Sequence, residues 1–334
     1  MAIPTLTIAI PTFNRNAILF QNLKHLLPQI DKNVNILIID NCSDIKVEGY
    51  LKKKIKIYQN KIRVIRNPVN IGGDANILRC IELCESDYIW ILGDDDFPFP
   101  DALKKIQKFL EYGDPIWVNF YSFNKFLPNR NSEIKTSTLI SFLKHFDSIN
   151  ELVFISNNIY KTSCIKEGLV GGFLNLHMRV PHLISMLYGV IKSKPIGKYY
   201  ITKDQLFLSI SNNKDRSTSW PLSSMFVNTI AIFQLPIFKN ISNELLQLLR
   251  GARKNWLSNK YMIAAFWELS SNQGIFKSLQ ISSNVIINLL IIDGFKFLLS
   301  LPLYFFSIFT GFYFWPRKEL IKKLYKKLLS HFNK

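Results

Sequence analysis

Cysteine is scarce in this 334-residue chain, and Cys42, Cys80, Cys84 and Cys164 are the whole supply. Four thiols make no disulfide framework at this length. Cys80 and Cys84, one helical turn apart, lack the second Cys or His pair that a zinc site needs. They read as buried thiols of a reducing compartment. No Gly-x-Gly-x-x-Gly follows the first apolar run and no Gly-Lys-Ser/Thr occurs, which removes the main support for dinucleotide and P-loop chemistry. Met1-Ala2-Ile3-Pro4-Thr5 has no basic stretch and no cleavage site, so no signal peptide is expected. Together these point to the cytoplasmic side. Acidic residues are also few, 24 Asp and Glu against 42 Lys and Arg, a net charge of +18.

What is present is apolar. At 48% hydrophobic, with 26 Phe, the chain is no disordered polymer, and its length provides for about two domains' worth of core. The positive surplus is uneven. Residues 1–112 hold 15 basic and 13 acidic side chains, whereas Arg317–Lys334 alone holds seven basic and one acidic. A near-neutral soluble part is followed by a basic, aromatic-rich part that meets something anionic, either a membrane surface or a nucleic acid.

The first 123 residues alternate short apolar runs with helical patterns. Leu6–Ile10, Val34–Ile39, Arg63–Arg66, Tyr88–Leu92 and Ile116–Phe123 are predicted strands. Between them Ala17–Pro28, Val47–Lys54, Asp74–Cys84 and Asp101–Tyr112 have helical spacing. Continuous runs such as Val34–Ile39 suit strands covered on both faces. The repetition implies an α/β fold of right-handed βαβ units around an open, mostly parallel, Rossmann-like sheet with flanking helices. We divide the chain into 1–123, a ligand-binding half; 124–280, a completing region with helices near Leu139–Phe146, Arg179–Ile191 and Glu244–Leu269; and 281–334, an apolar and basic tail.

Ligands of such sheets bind at the carboxyl ends of the strands, and four of these ends are polar here. The first runs into Pro11-Thr12-Phe13-Asn14-Arg15, the second into Asp40-Asn41, the third into Asn70-Ile71-Gly72-Gly73-Asp74-Ala75-Asn76, the fourth into Asp94-Asp95-Asp96. Adjacent carboxylates repel, and a hard divalent cation would offset them. Asp94 and Asp96 have the D-x-D spacing to hold Mg²⁺ or Mn²⁺. The plain alternative is an acidic turn capping the helix near Pro100. Thr12, Asn14 and Arg15 offer groups for a phosphate, Asp40 an acceptor for a base or ribose, and Asn70, Gly72 and Asn76 a wall open to close approach. Each alone could be a turn or cap residue.

These stretches, with Trp90-Ile91-Leu92-Gly93-Asp94-Asp95-Asp96 in register, resemble the family 2 glycosyltransferases of GT-A fold over about residues 5–120. The Leu-Gly-Asp-Asp-Asp form, with Phe154-Ile155-Ser156-Asn157-Asn158-Ile159 further on, is similar to the abequosyltransferase-like branch of bacterial O-antigen and capsule enzymes. The resemblance implies inverting transfer of a sugar from a nucleotide-sugar donor. Pro11, Thr12, Asn14, Arg15, Asp40, Asn70, Gly72, Asn76, Asp94 and Asp95 would contact the donor, and Asp94 and Asp96 would hold Mn²⁺ or Mg²⁺, with Asp96 the surest ligand. One departure stands out. Such enzymes follow Gly-Gly-Phe with a Glu-Asp pair opening a helix, and here Gly171-Gly172-Phe173 is followed by Pro181-His182. His182 stands where the basic carboxylate would be, and a histidine can deprotonate an acceptor hydroxyl. The alternatives are a packing role for His182, with Asp147, Glu151 or Glu167 as base, or no base. Arg216 could close over the diphosphate as a loop residue.

At the far end, Leu320, Ile321, Leu324, Tyr325, Leu328, Leu329 and Phe332 share one face of a helical pattern. Lys318, Lys322, Lys323, Lys326 and Lys327 take the other face. This is the pattern of an interfacial helix on anionic lipid, and it replaces the nucleic-acid reading. Phe297–Pro316 carries no charge, but Pro302 and Gly311 argue for a monotopic dip over a single span. The expected place is the cytoplasmic side of a bacterial inner membrane, peripheral or monotopic, with a saccharide acceptor on a polyprenyl carrier and no nucleic-acid partner. Two other readings stay open: a GT-A-like nucleotidyltransferase, and a non-catalytic nucleotide-sugar or membrane-binding protein that kept the fold.

Overall fold

The computed structural model describes residues 4–55, 59–111, 113–121, 130–209, 229–254, 262–263, 266, 285–293, 297 and 301–313. The amino-terminal part alternates as the apolar pattern requires: β1 (Leu6–Thr12), α1 (Asn16–Leu26), β2 (Val34–Asp40), α2 (Val47–Lys52), β3 (Ile62–Arg66), α3 (Gly73–Glu82) and β4 (Tyr88–Ile91). Then come β5 (Asp96–Pro98), α4 (Ala102–Glu111), β6 (Pro115–Tyr121), β7 (Ile134–Thr136), α5 (Leu139–Lys144), α6 (Asn150–Val153) and β8 (Asn158–Lys161). The remainder comprises α7 (Thr162–Glu167), α8 (Leu169–Leu174), α9 (Pro181–Ser193), β9 (Lys198–Gln205), β10 (Phe207–Ser209), α10 (Ser242–Arg253) and α11 (Leu301–Tyr313).

Eight strands form one sheet in the order β3-β2-β1-β4-β8-β6-β9-β7, and β10 pairs with β5 beside it. β1 runs parallel to β2 and β4, β2 to β3, and β6 to β9. β8 enters antiparallel between β4 and β6, and β7 closes the edge antiparallel to β9. The period-2 geometry of strands sorts their side chains onto two cores. Leu6, Ile8, Ile10, Ile36, Ile38, Tyr88 and Trp90 pack under α1, α2 and α4. Ala9, Leu37, Ile39, Ile89 and Ile91 face the opposite way, under α3, α5, α7 and α9. The continuous apolar runs therefore mark a sheet covered on both sides, as expected.

On that second face α7 and α9 meet backbone to backbone. A Cβ on Gly189 would lie 1.9 Å from the carbonyl oxygen of Cys164, and one on Gly168 would lie 1.8 Å from that of Ser185. Neither helix can yield without lifting off β4 and β8. Gly189→Ala is therefore expected to cost about 3 kcal/mol of folding stability, at the upper end of ordinary overpacking. The midpoint of urea unfolding measures it.

In the carboxyl-terminal part, α11 spans 13 residues. Among the described residues no helix is long and apolar enough to cross a membrane. The predicted interfacial helix Arg317–Lys334 and the loop carrying Arg216 lie outside the described residues.

Candidate active site

The parallel strands β1, β2, β3 and β4 all end on one edge of the sheet, and a cleft of about 500 Å³ opens there. Pro11, Thr12, Arg15, Asn41, Asn70, Gly72, Gly73, Asn76, Asp94, Asp95 and Arg179 stand on its walls. Residues separated by up to 168 positions in sequence thus share one hollow, because each strand delivers its own terminal loop to the same edge.

The acidic turn forms one lip. Thr12 donates its hydroxyl to Asp94 Oδ2 at 2.7 Å. Arg15 places one guanidinium nitrogen 3.0 Å from Asp94 Oδ1 and 3.1 Å from Asp95 Oδ2. Burial pushes the Asp94 carboxyl up to about 6 against the pull of Arg15 and Thr12, with Asp95 adding to the rise. Burial works against the charge on Arg15 as well, but Asp94 and Asp95 outweigh it and hold the guanidinium above its usual range. Arg15, expected on a phosphate, thus sits on the carboxylates.

Asp96 turns away from the cleft. It is 3% exposed, and Ser156 donates its hydroxyl to Asp96 Oδ2 at 2.5 Å. The same Ser156 oxygen accepts from the Gly93 amide at 2.9 Å, and Asn22 donates to the carbonyls of Gly93 and Asp96 at 2.9 and 2.8 Å. Ser156 and Asn22 therefore hold the acidic turn in shape. Ser156 lies in the Phe154–Ile159 stretch already singled out, whereas nothing in the local sequence marks Asn22.

A divalent cation is the group this lip is expected to take. Two carboxylates at the cleft, Asp94 and Asp95, with Asp96 behind them in the same turn, are the hard-oxygen chemistry that Mg²⁺ or Mn²⁺ prefers, so the donor set fits. Among the described residues no three His, Cys, Asp or Glu side chains converge into a ready-made cage. One or two carboxylates completed by water and substrate phosphates is the usual arrangement for such an ion.

The opposite wall is an asparagine lattice. Asn41 donates to Asn70 Oδ1 at 2.8 Å and accepts from Asn67 and from the Ile71 amide, both at 3.0 Å. Asn67 donates to Asn76 Oδ1 at 2.8 Å, and Asn76 donates to the Ile39 carbonyl at 3.0 Å. Gly72, with φ of 86°, adopts the left-handed backbone that lets this loop enter α3. Asn76 is thus engaged at both its polar atoms, and Asn70, on the cleft wall, through its Oδ1, which also accepts from the Gly72 amide at 2.9 Å.

Two more expected donor contacts are engaged elsewhere. Asp40 is 1% exposed, and its carboxylate accepts from the Ser43 amide at 2.8 Å, from Arg66 at 2.7 Å and from the Val47 amide at 3.4 Å. Asn14 clips its loop to the next one, donating to Asp44 at 3.1 Å and accepting from the Asp44 amide at 2.8 Å. Both shape the loops that carry Thr12, Arg15 and Asn41.

His182 opens α9 as expected but is not on the cleft wall. It is 2% exposed, and burial lowers its ring to about 4. The carbonyls of Leu152 and Val153 lie near enough to favour the charged ring, but neither ring nitrogen has a partner in hydrogen-bonding geometry among the described residues. A ring so sealed cannot reach an acceptor hydroxyl without movement of the elements around it. The other candidate bases are also turned elsewhere. Glu151 is paired with Arg130 at 2.9 Å, Glu167 with Lys192 at 2.6 Å, and Asp147 is not on the cleft wall. The loop before α9 instead brings in a cation, Arg179, which pairs with Asp74 at the start of α3. Sequence reading missed this pair, since 105 positions separate its members and neither belongs to a recognisable spacing.

Residues 7–163 match the sequence profile described as Glycosyl transferase family 2. Over 115 residues the chain is 33% identical to abequosyltransferase RfbV of Salmonella typhimurium. That match covers 34% of this chain and 34% of the relative, so the two are comparable over about a third of each. Among solved structures, S. aureus TarS 1-349 in complex with UDP is similar with a TM-score of 0.56 and 12% identity, over 94% of this chain and 92% of that one. Mannosyltransferase PcManGT from Pyrobaculum calidifontis, in complex with GDP-Man and Mn²⁺, gives 0.51 and 11% identity, over 94% and 88%. The strand order and these likenesses agree: the chain has the GT-A fold, and its residues 7–163 match glycosyl transferase family 2.

Proposed function

We propose that the chain transfers a sugar from a nucleoside-diphosphate donor to an acceptor hydroxyl, with inversion, in the synthesis of a bacterial surface polysaccharide. The observation that carries this is the lip formed by Asp94, Asp95 and Thr12 at the carboxyl edge of the parallel strands. It faces a side-chain-poor wall at Gly72 and Gly73 where a ligand can approach the backbone. TarS with UDP, PcManGT with GDP-Man and Mn²⁺, and a relative named for abequosyl transfer support a sugar nucleotide as the donor and a divalent metal beside it.

Asp94 would hold the metal, with Asp96 joining after its carboxylate leaves Ser156. When bound, such an ion offsets charge on the departing diphosphate. Thr12 orients Asp94 through its hydroxyl, and Arg15 keeps Asp94 and Asp95 from repelling one another while no cation is present. The asparagine lattice keeps the facing wall rigid, so little reorganisation is needed on binding. The acceptor would be a saccharide on a polyprenyl carrier at the cytoplasmic face of the inner membrane. Val170, Phe173 and Leu174 on α8, which stand exposed, support a lipid-facing rim.

The test is release of nucleoside diphosphate from UDP-, GDP-, CDP- and dTDP-sugars with Mn²⁺, run with and without lipid-linked saccharide acceptors. One donor consumed in an acceptor-dependent, chelator-sensitive way is the expected result, and none consumed overturns the reading. One observation favours a binding protein that does no chemistry: the described carboxylates on the cleft wall are Asp94 and Asp95 alone, neither free to act as base. That case would show donor binding by calorimetry with no turnover under any acceptor.

A further inference from the structure

The charged side chains on the described cleft walls are Arg15, Asp94, Asp95 and Arg179. Arg15 is committed to the two aspartates on its own lip. Arg179 comes from the other side, out of the loop between α8 and α9, and its side chain remains 25% exposed while its partner Asp74 is buried. The pair is thus built as a buried anchor carrying a cation whose far side faces the cleft.

Two costs argue that the pair is not there for stability. Arg179 has a φ of 64°, a left-handed backbone in which a Cβ crowds the following carbonyl oxygen, and glycine or asparagine would meet that turn more cheaply. Asp74 is 4% exposed, and burial raises its carboxyl to about 6 even against Arg179. A buried ion pair is seldom a net gain over apolar packing of the same volume. Strained backbone and an expensive buried charge at the same point are what a binding cleft tolerates and a mere packing contact does not.

We propose that Arg179, clamped by Asp74, contacts the donor's diphosphate across the cleft from the acidic lip and stabilises the nucleoside diphosphate as it leaves. This rests on the donor reading above. In the transfer step the bond from the anomeric carbon to the β-phosphate oxygen breaks, and both its electrons go to that oxygen. The acceptor oxygen forms the new bond from the opposite face and releases its proton to water. Negative charge grows on the phosphate, and a guanidinium fixed before the reaction meets it without reorganising. Asp74 is a positioning residue, acting only through Arg179. In this chain the loop that could deliver a carboxylate base to the cleft delivers a cation for the leaving group.

The experiment is calorimetric titration with UDP, GDP, CDP and dTDP, each with Mg²⁺, and with the matching nucleosides. The proteins are wild type, Arg179→Lys, Arg179→Gln and the double variant Asp74→Asn with Arg179→Gln. The double variant leaves no buried charge unpaired, so it keeps the test valid where Arg179→Gln alone misfolds. For the diphosphate that wild type binds, Arg179→Gln and the double variant should weaken affinity about tenfold or more, the worth of a charge-assisted contact. Nucleoside affinity should stay within about twofold, and Arg179→Lys should fall in between. Unchanged diphosphate affinity in the double variant overturns the assignment, as does equal loss for nucleoside and diphosphate. If wild type binds none of the four, the donor reading falls and takes this inference with it.

Discussion

Asp94→Asn is expected to lower sugar transfer by about three orders of magnitude, the scale of removing one preorganised electrostatic contact to a reacting group together with its metal. The loss should come without loss of fold. Asp94 is buried, crowded by Asp95, and its carboxyl is raised to about 6, so its charge is a burden on the folded chain that the amide does not carry. The melting temperature of the variant without added metal should equal or exceed that of wild type. Added Mn²⁺ should raise the melting temperature of wild type by mass action and leave that of the variant unmoved. Thermal denaturation with and without the ion, beside a rate assay, reads all three results. A variant that is both inactive and unstable would make Asp94 a structural residue.

The second large effect is on stability in acid. His182 titrates near 4 in the folded chain because burial opposes its charge, against about 6.5 when unfolded. Between these values the unfolded state binds the extra proton, so stability rises with pH across the window and falls as pH drops from 6.5 toward 4. The loss from this one residue is about 3 kcal/mol at pH 4. His182→Leu should abolish that share, which urea unfolding at pH 4.5 and pH 7 measures as a smaller difference between the two midpoints. The same variant should keep transfer at pH 7.5 within a few-fold of wild type, since the ring does not reach the cleft. A loss of a hundredfold or more, with donor binding intact, would restore His182 as the base.

The strands and helices of the first 110 residues, the short β5 excepted, are legible because each is a local pattern. Val34–Asp40 is apolar almost throughout and α3 is amphipathic, and such signals survive without knowledge of the partners. β7, β8 and β10 are three or four residues long, and β8 begins with an asparagine, so their place depends on the neighbours they pair with. The site divides the same way. Thr12, Asp94 and Asp95 follow strands that point at the cleft, and their side chains arrive where the strand ends predict. Asp40 and Asn76 occupy the expected edge too, but their polar atoms are consumed by neighbouring segments, as is the Oδ1 of Asn70, which no spacing in the sequence reveals.

The sequence alone determined the alternating α/β order, the edge where the cleft lies and the chemical character of its acidic lip. These follow from apolar periodicity and from side chains placed just after strands, both of which are properties of short segments. Only the tertiary structure decided which polar groups face the cleft and which face one another. Burial and hydrogen bonding are set by residues far away in the chain: Ser156 draws Asp96 inward, Arg66 takes Asp40, the packing around α9 seals His182, and Asp74 brings Arg179 to the wall.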